Sequence, residues 1–346
     1  MKKNNRLIYI LILILSVWLM ILSFRPNSIV SRQEIINEYN VSGFSTDFSK
    51  VVEDNSSSIV SISADGSVLS GFIYRQDGDK VYVLTAYHGI EDASGITVVF
   101  GSSYSVNAVM KGYDIYTDLA VLELECPYKV SPVRIGDATL LKKGEFVICI
   151  GTPVSLDYAG SVQLGMIANE RLTIENSVTV NYETYEYCLD VIELSSSLIP
   201  GYSGGPLLNM NGEVTGMITM SLDDRMCFAL TANEIKAVAE KIISEQDGMK
   251  ADIGIKGTYI KEMPNYEKAN LNLDIQTISG LFVQKVMDDS LAFTVGVKPG
   301  DIVVKINDVP LDGLNEYLQI SYQPYETYSF EVLRNGETLT LSIGND

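Results

Sequence analysis

Residues 201–216 read GYSGGPLLNMNGEVTG, a serine set among glycines, then an apolar pair, then a turn-rich stretch. Alone, glycines around a serine more often mark a tight turn than a chemical site. Here they have a second consequence. With glycine on either side of the Tyr202-Ser203 pair, backbone N–H groups can converge on a developing negative charge without a Cβ in the way. A serine hydroxyl is a poor nucleophile until a neutral imidazole takes its proton as it attacks a carbonyl. The imidazole in turn needs a carboxylate to fix its tautomer and to stabilise its protonated form.

Both partners lie upstream. Residues 84–90 read LTAYHGI, an apolar strand ending at His88, the only histidine of the chain. Residues 117–122 read TDLAVL, with Asp118 immediately before another apolar strand. A histidine at a strand end and an acid at a strand start are individually ordinary; in the order His, Asp, Ser they match one of the known triad orders. The surrounding chain is a series of short strands divided by Gly, Asp and Asn, at 59–63, 68–74, 81–86, 119–124, 145–150, 189–194 and 214–220. Such spacing predicts an antiparallel barrel or sandwich. The one clear helix of this part, 232–245, carries Ile235, Val238, Ala239 and Ile242 at helical spacing.

T-A-x-H, T-D-L-A-V and G-x-S-G-G-P in this order resemble the trypsin-like double β-barrel proteases, and more closely the Deg/HtrA family. That resemblance implies a mainly β chain with a trypsin-like double antiparallel β-barrel over residues 56–246. By position it makes His88 the general base, Asp118 its orienting acid, Ser203 the nucleophile, and the N–H groups of Gly201 and Ser203 the oxyanion hole. Tyr202 departs from the family's asparagine. Its side chain does no chemistry, but the peptide there must turn correctly to build the hole. The same comparison places Leu198, Leu222 and Met226 around a specificity pocket. All three are apolar, with no acid at the base, which favours small to medium aliphatic residues before the scissile bond and disfavours Lys or Arg. Plain core positions carry the same residue types.

Residues 280–310, GLFVQKVMDDSLAFTVGVKPGDIVVKINDVP, resemble a PDZ domain, which would occupy 251–346. They predict a strand, a short helix from Ser290, and a K-P-G-D turn in which Pro299 presets φ and Gly300 is permissive. PDZ domains bind a ligand's C-terminus as an added strand, with its carboxylate on a loop of N–H groups. Ile253-Gly254-Ile255 matches that loop by its place at the domain start, with Gly280-Leu281-Phe282 as the competing match and an ordinary strand with a bulge glycine as the plainer one.

Residues 7–24 are almost uninterruptedly apolar, with Lys2, Lys3 and Arg6 before them and Arg25 after. A helix of that length reaches about 27 Å, close to a bilayer's hydrocarbon thickness. The length, and the lack of a small-residue cleavage site, favour an uncleaved transmembrane anchor within 1–25 over a signal peptide. The basic flank puts the N-terminus in the cytoplasm and the remainder outside it, with 26–55 as a polar tether. A net charge of -19 excludes a nucleic-acid partner. Four cysteines without C-x-x-C, and a single histidine, exclude a Cys/His zinc site; no metal or cofactor is expected, and the pairing of the cysteines is open. Anchor, protease and one PDZ domain match a DegS-type arrangement. That resemblance implies a homotrimer, unfolded or membrane-protein substrates, regulation by protein C-termini, and a role in envelope quality control or stress signalling. The alternative is a catalytically inactive, membrane-tethered PDZ sensor or chaperone-like binding protein whose Tyr202 loop never forms a working hole.

Overall fold

The computed structural model describes residues 13–16, 18, 48–101, 104–180, 183–196, 200–222, 226–244, 251, 253–271, 273, 279–323 and 325–342. The first six strands are β1 (Ile59–Ala64), β2 (Ser67–Asp77), β3 (Lys80–Ala86), β4 (Ile96–Phe100), β5 (Tyr104–Asp114) and β6 (Leu119–Glu125). They close into a barrel in the order β1-β2-β3-β6-β5-β4, all neighbours antiparallel where registered. A second set follows: β7 (Arg134–Ile135), β8 (Phe146–Gly151), β9 (Ser161–Val180), β10 (Glu183–Leu194), β11 (Pro206–Leu208), β12 (Glu213–Leu222) and β13 (Met226–Thr231). Their order is β11-β8-β9-β10-β13-β12-β7, and the β11–β12 pairing closes six of them into a second ring. The expected double barrel is therefore present, with one departure: β7 joins β12 in parallel.

Strand alternation explains how the two barrels meet. β3 reads KVYVLTA, and every residue after Lys80 is buried. Val81 and Val83 point into the first barrel with Ile62, Ile73 and Leu122. Tyr82 and Leu84 point the other way, into a core shared with Ile148 and Ile150 of β8 and Leu189 and Val191 of β10. Successive side chains on a strand face opposite sides, so a strand buried on both faces reads as a continuous apolar run. The second barrel has its own interior, with Cys149, Ile167, Leu207 and Cys227.

Helix α1 (Phe48–Asn55) precedes the first strand and contributes Val51 to the shared core. Residues 48–55 are thus part of the folded unit and not of a polar tether; their few apolar residues hid the helix, which tertiary packing stabilises. Helix α2 (Ala232–Ile243) follows β13, starting where the Thr231 hydroxyl accepts the Glu234 N–H (3.2 Å) and ending near the expected boundary.

The C-terminal part has β14 (Ile255–Tyr259), α3 (Asn265–Asn270), β15 (Leu281–Val286), α4 (Leu291–Val295), β16 (Ile302–Ile306), β17 (Val309–Pro310), α5 (Leu314–Tyr322), β18 (Ser329–Arg334) and β19 (Glu337–Ser342). The sheet runs β14-β15-β16-β18-β19, with β17 on β16. Ser290 caps α4 by accepting the Phe293 N–H, and Gly300 takes a φ of +91° in the predicted K-P-G-D turn. The two barrels and this sheet belong to one unit, Asp47–Asp346.

All four cysteines are free thiols; Cys126, Cys149 and Cys227 are buried and Cys188 half-buried. Burial pushes the Cys227 thiol up to about 12, so it stays protonated at neutral pH. Most of residues 7–24, and residues 245–250 between the protease and PDZ parts, lie outside the described residues. Among the described residues, no helix is long and apolar enough to cross a membrane.

Candidate active site

His88 sits in a single 3-10 turn, Tyr87–Gly89, at the end of β3, and Asp118 lies just before β6, the strand paired with β3. The antiparallel register Ala86↔Leu119 therefore brings the two residues together. Asp118 holds the turn at three points. Its carbonyl accepts the Tyr87 N–H (2.9 Å), one carboxylate oxygen accepts the His88 N–H (2.8 Å), and the other lies 2.7 Å from His88 Nδ1. It does so from a left-handed backbone, φ +56°, a conformation Asp tolerates better than most residues. Asp114 builds that approach, its Oδ1 accepting the N–H groups of Tyr116 and Thr117. The hydrogen bond to Asp118 raises the His88 pKa above 6.5 against an opposing push from burial.

Ser203 arrives from the second barrel. Its carbonyl accepts the Ser70 N–H from β2 (3.0 Å), and Gly204 donates to the Ile218 carbonyl of β12 (2.7 Å). A Cβ on Gly204 would come within 2.6 Å of the Ala86 nitrogen, so glycine is what lets the serine loop close against the strand carrying His88. Among the described residues, no hydrogen bond joins His88 Nε2 to Ser203 Oγ. Such bonds are often long in a free enzyme and shorten when substrate binds.

Ser70 does more than the sequence revealed. Its hydroxyl donates to the Gly201 carbonyl (2.6 Å) and accepts the Thr152 N–H (2.8 Å), and the Thr152 hydroxyl lies 2.5 Å from Ser61 Oγ. These buried hydroxyls tie the serine loop to the first barrel. The only signal was a serine inside each of two short apolar stretches, Ser61 in IVSI and Ser70 in VLSGFI. Tyr202 is 3% exposed, its ring among Cys149, Leu207 and Ile218 and close over Gly151. The departure at this position is a core residue anchoring the loop. Among the described residues, neither the Gly201 N–H nor the Ser203 N–H has a hydrogen-bond partner.

The three specificity-pocket residues are less defined. Leu198 lies outside the described residues; Leu222 and Met226 oppose each other across the β12–β13 hairpin, where Met226 is exposed. In the C-terminal part, Ile253, Gly254 and Ile255 are all buried. Gly254 takes φ +67°, and the carbonyls of Gly254 and Ile253 accept the N–H groups of Met287 (2.8 Å) and Ala292 (3.1 Å). Gly280, at φ +135°, instead leads into β15.

The trypsin-like peptidase domain family matches residues 69–217, and the PDZ domain family matches 251–344. The serine protease Do-like HtrA of Bacillus subtilis is 30% identical over 286 residues, 80% of this chain and 63% of that protein. The chain thus carries a trypsin-like peptidase domain and a PDZ domain, and it resembles the Do-like HtrA serine proteases. A Do-like HtrA of Lactococcus lactis is 29% identical over 336 residues, 92% of this chain and 79% of that one. Among solved structures, the HtrA-type protease AlgW with a tripeptide superposes with a TM-score of 0.60 at 24% identity, covering 85% of this chain and 95% of that one. The chain spans about three fifths of the length of the two Bacillus subtilis relatives it matches. Against that resemblance the chain keeps the histidine, aspartate and serine of the motif and has a buried tyrosine in place of the asparagine beside the serine.

Proposed function

We propose that this chain is a Deg/HtrA-type, membrane-anchored, extracytoplasmic serine endopeptidase, regulated by PDZ recognition of protein C-termini and acting in envelope quality control or stress signalling. Ser203 is the nucleophile, His88 its base and Asp118 the group that orients His88. The observation that carries this reading is a fixed His88–Asp118 pair together with the N–H groups of Gly201 and Ser203, neither of which has a hydrogen-bond partner among the described residues. Ser203 Oγ attacks the scissile carbonyl while His88 Nε2 takes its proton, and the imidazolium is stabilised by Asp118. The carbonyl oxygen, now negative, accepts from Gly201 and Ser203. His88 then gives its proton to the leaving amine; water repeats the sequence on the acyl-enzyme. Purified wild-type chain should cleave an unfolded protein or a single-pass membrane-protein fragment, and Ser203→Ala should not. Equal turnover by both would contradict the assignment.

The regulatory part follows from how the PDZ sheet meets the protease. The polar outer face of the β9–β10 ribbon lies against β14. Arg171 pairs with Glu262 (2.8 Å) and stacks over Tyr259 (4.4 Å), while Glu175 takes Lys256 (3.0 Å) and Lys285 (2.5 Å). Tyr322 of α5 donates to the buried Glu234 of α2 (2.7 Å). Where β14 faces α5, the space bounded by Arg171, Asp190, Ile255, Tyr259 and Tyr317 is about 20 Å³, and a larger one of about 610 Å³ opens beside it along Leu172, Thr258 and Gln284. The smaller space, between β14 and α5, has room for a water and not for a peptide strand. A ligand strand laid between β14 and α5 would meet Arg171 and Asp190 of the ribbon and have to displace them, which couples binding to the protease. A free-acid peptide should raise reporter cleavage and its amide should not. The anchor at residues 7–24 and a homotrimer complete the proposal, with membrane fractionation and light scattering as their tests.

A further inference from the structure

Val154 is the outlier of the serine-loop region. It is β-branched and 70% exposed, yet takes φ +65°, a region such residues avoid. The Ser155 N–H donates to the Pro153 carbonyl (2.7 Å), so Val154 is the central residue of a γ-turn of the rare, strained hand. Strain of this kind persists only where surrounding structure imposes it, and it clusters at functional sites. The imposing contact is visible: the Val154 N–H donates to the Pro200 carbonyl (3.2 Å). The turn also presses on the next residue. A Cβ on Gly201 would lie 2.6 Å from the Thr152 carbonyl, 2.8 Å from Pro153 Cα and 2.9 Å from the Val154 nitrogen.

In a planar trans peptide the C=O and the following N–H point in opposite directions. Holding the Pro200 carbonyl on Val154 therefore turns the Gly201 N–H away from the turn, where it has no hydrogen-bond partner among the described residues. The Tyr202–Ser203 peptide is set in the same way, because the Tyr202 carbonyl accepts the Gly205 N–H (2.8 Å) and the Ser203 N–H is turned to the opposite side. Both peptides that would stabilise an oxyanion are thus fixed from behind through their own carbonyls. The second is held within the glycine motif itself; the first depends on a residue nearly fifty positions upstream.

We propose that Val154 is a positioning residue for the reaction, its γ-turn holding the Pro200–Gly201 peptide so that the Gly201 N–H faces the reacting carbonyl oxygen. The proposal rests on the serine endopeptidase reading. Its contribution comes from the backbone N–H and the turn, not from the exposed side chain. The full chain with Val154→Pro lacks that N–H and cannot adopt φ +65°. Its kcat should fall about 10²–10³-fold, the loss of one oxyanion donor, with KM within a few-fold of wild type. Val154→Asn keeps the N–H and tolerates the left-handed region, so it should restore kcat to within about threefold of wild type. If Val154→Pro does not fold, Ser155→Pro, which removes the other hydrogen bond of the turn, carries the same expectation. A folded proline variant with kcat within about threefold of wild type would overturn the proposal, as would an asparagine variant as impaired as the proline one. Absence of any Ser203-dependent turnover in the wild type would instead overturn the underlying reading.

Discussion

His88 answers to two opposing demands on its proton. The hydrogen bond to Asp118 raises its pKa above 6.5, whereas a general base must be neutral. The acid limb of kcat/KM should therefore have its midpoint above 6.5, and Asp118→Asn should lower kcat about 10⁴-fold by removing the tautomer control. A midpoint at or below 6.5 would show that Asp118 does not stabilise the imidazolium. For stability the sign is reversed: a raised folded-state pKa stabilises the fold below the unfolded value and loses that contribution as pH rises through the folded one. Tyr202 makes a separate prediction at the same scale. Its ring is enclosed by the second barrel's core, so Tyr202→Ala should cost about 3–5 kcal/mol in chemical denaturation, and Tyr202→Phe less than about 1. The catalytic candidates were readable because each is a distinctive residue in a distinctive local pattern. Ser70, Thr152 and Val154 were not, because their roles come from backbone and hydroxyl groups that meet only across the seam between barrels.

Elements were legible to the extent that their apolar pattern was local. β1, β3, β6 and β8 are continuous buried runs and were found within a residue or two. β9, twenty residues long, was missed, because it is amphipathic over only part of its length. Its polar face, carrying Arg171, Thr173 and Glu175, looks like a solvated surface in sequence and becomes intelligible only against Lys256, Tyr259 and Glu262. α1 was missed for a related reason: its stability lies in Val51 packing on strands it precedes. The ribbon makes its own prediction. Exposed ion pairs are worth up to about 1 kcal/mol each, and a cation–π contact about as much. Arg171→Ala should therefore raise the full chain's affinity for a free-acid C-terminal peptide by about three- to thirty-fold, measured by calorimetry. Unchanged or weaker binding would mean that the groove does not compete with the ribbon.

At the scale of the whole molecule, two barrels place a histidine–aspartate pair and a serine loop on opposite sides of one seam, and a third sheet rests on the ribbon of the second barrel. The order of motifs decided the architecture. How the PDZ groove meets the protease could not be read, since it depends on pairings between residues some eighty to a hundred and ten positions apart. The account's central claim is that the seam makes Ser203 uniquely nucleophilic. Its most direct test is intact-mass spectrometry after exposure to a fluorophosphonate probe, with the modified residue located by peptide mapping. One adduct on Ser203 in the wild type, none in Ser203→Ala, and labelling slowed at least a hundredfold in His88→Ala, roughly the contribution of a general base, is the predicted result. Labelling that persists in Ser203→Ala, or proceeds at the wild-type rate without His88, would contradict it.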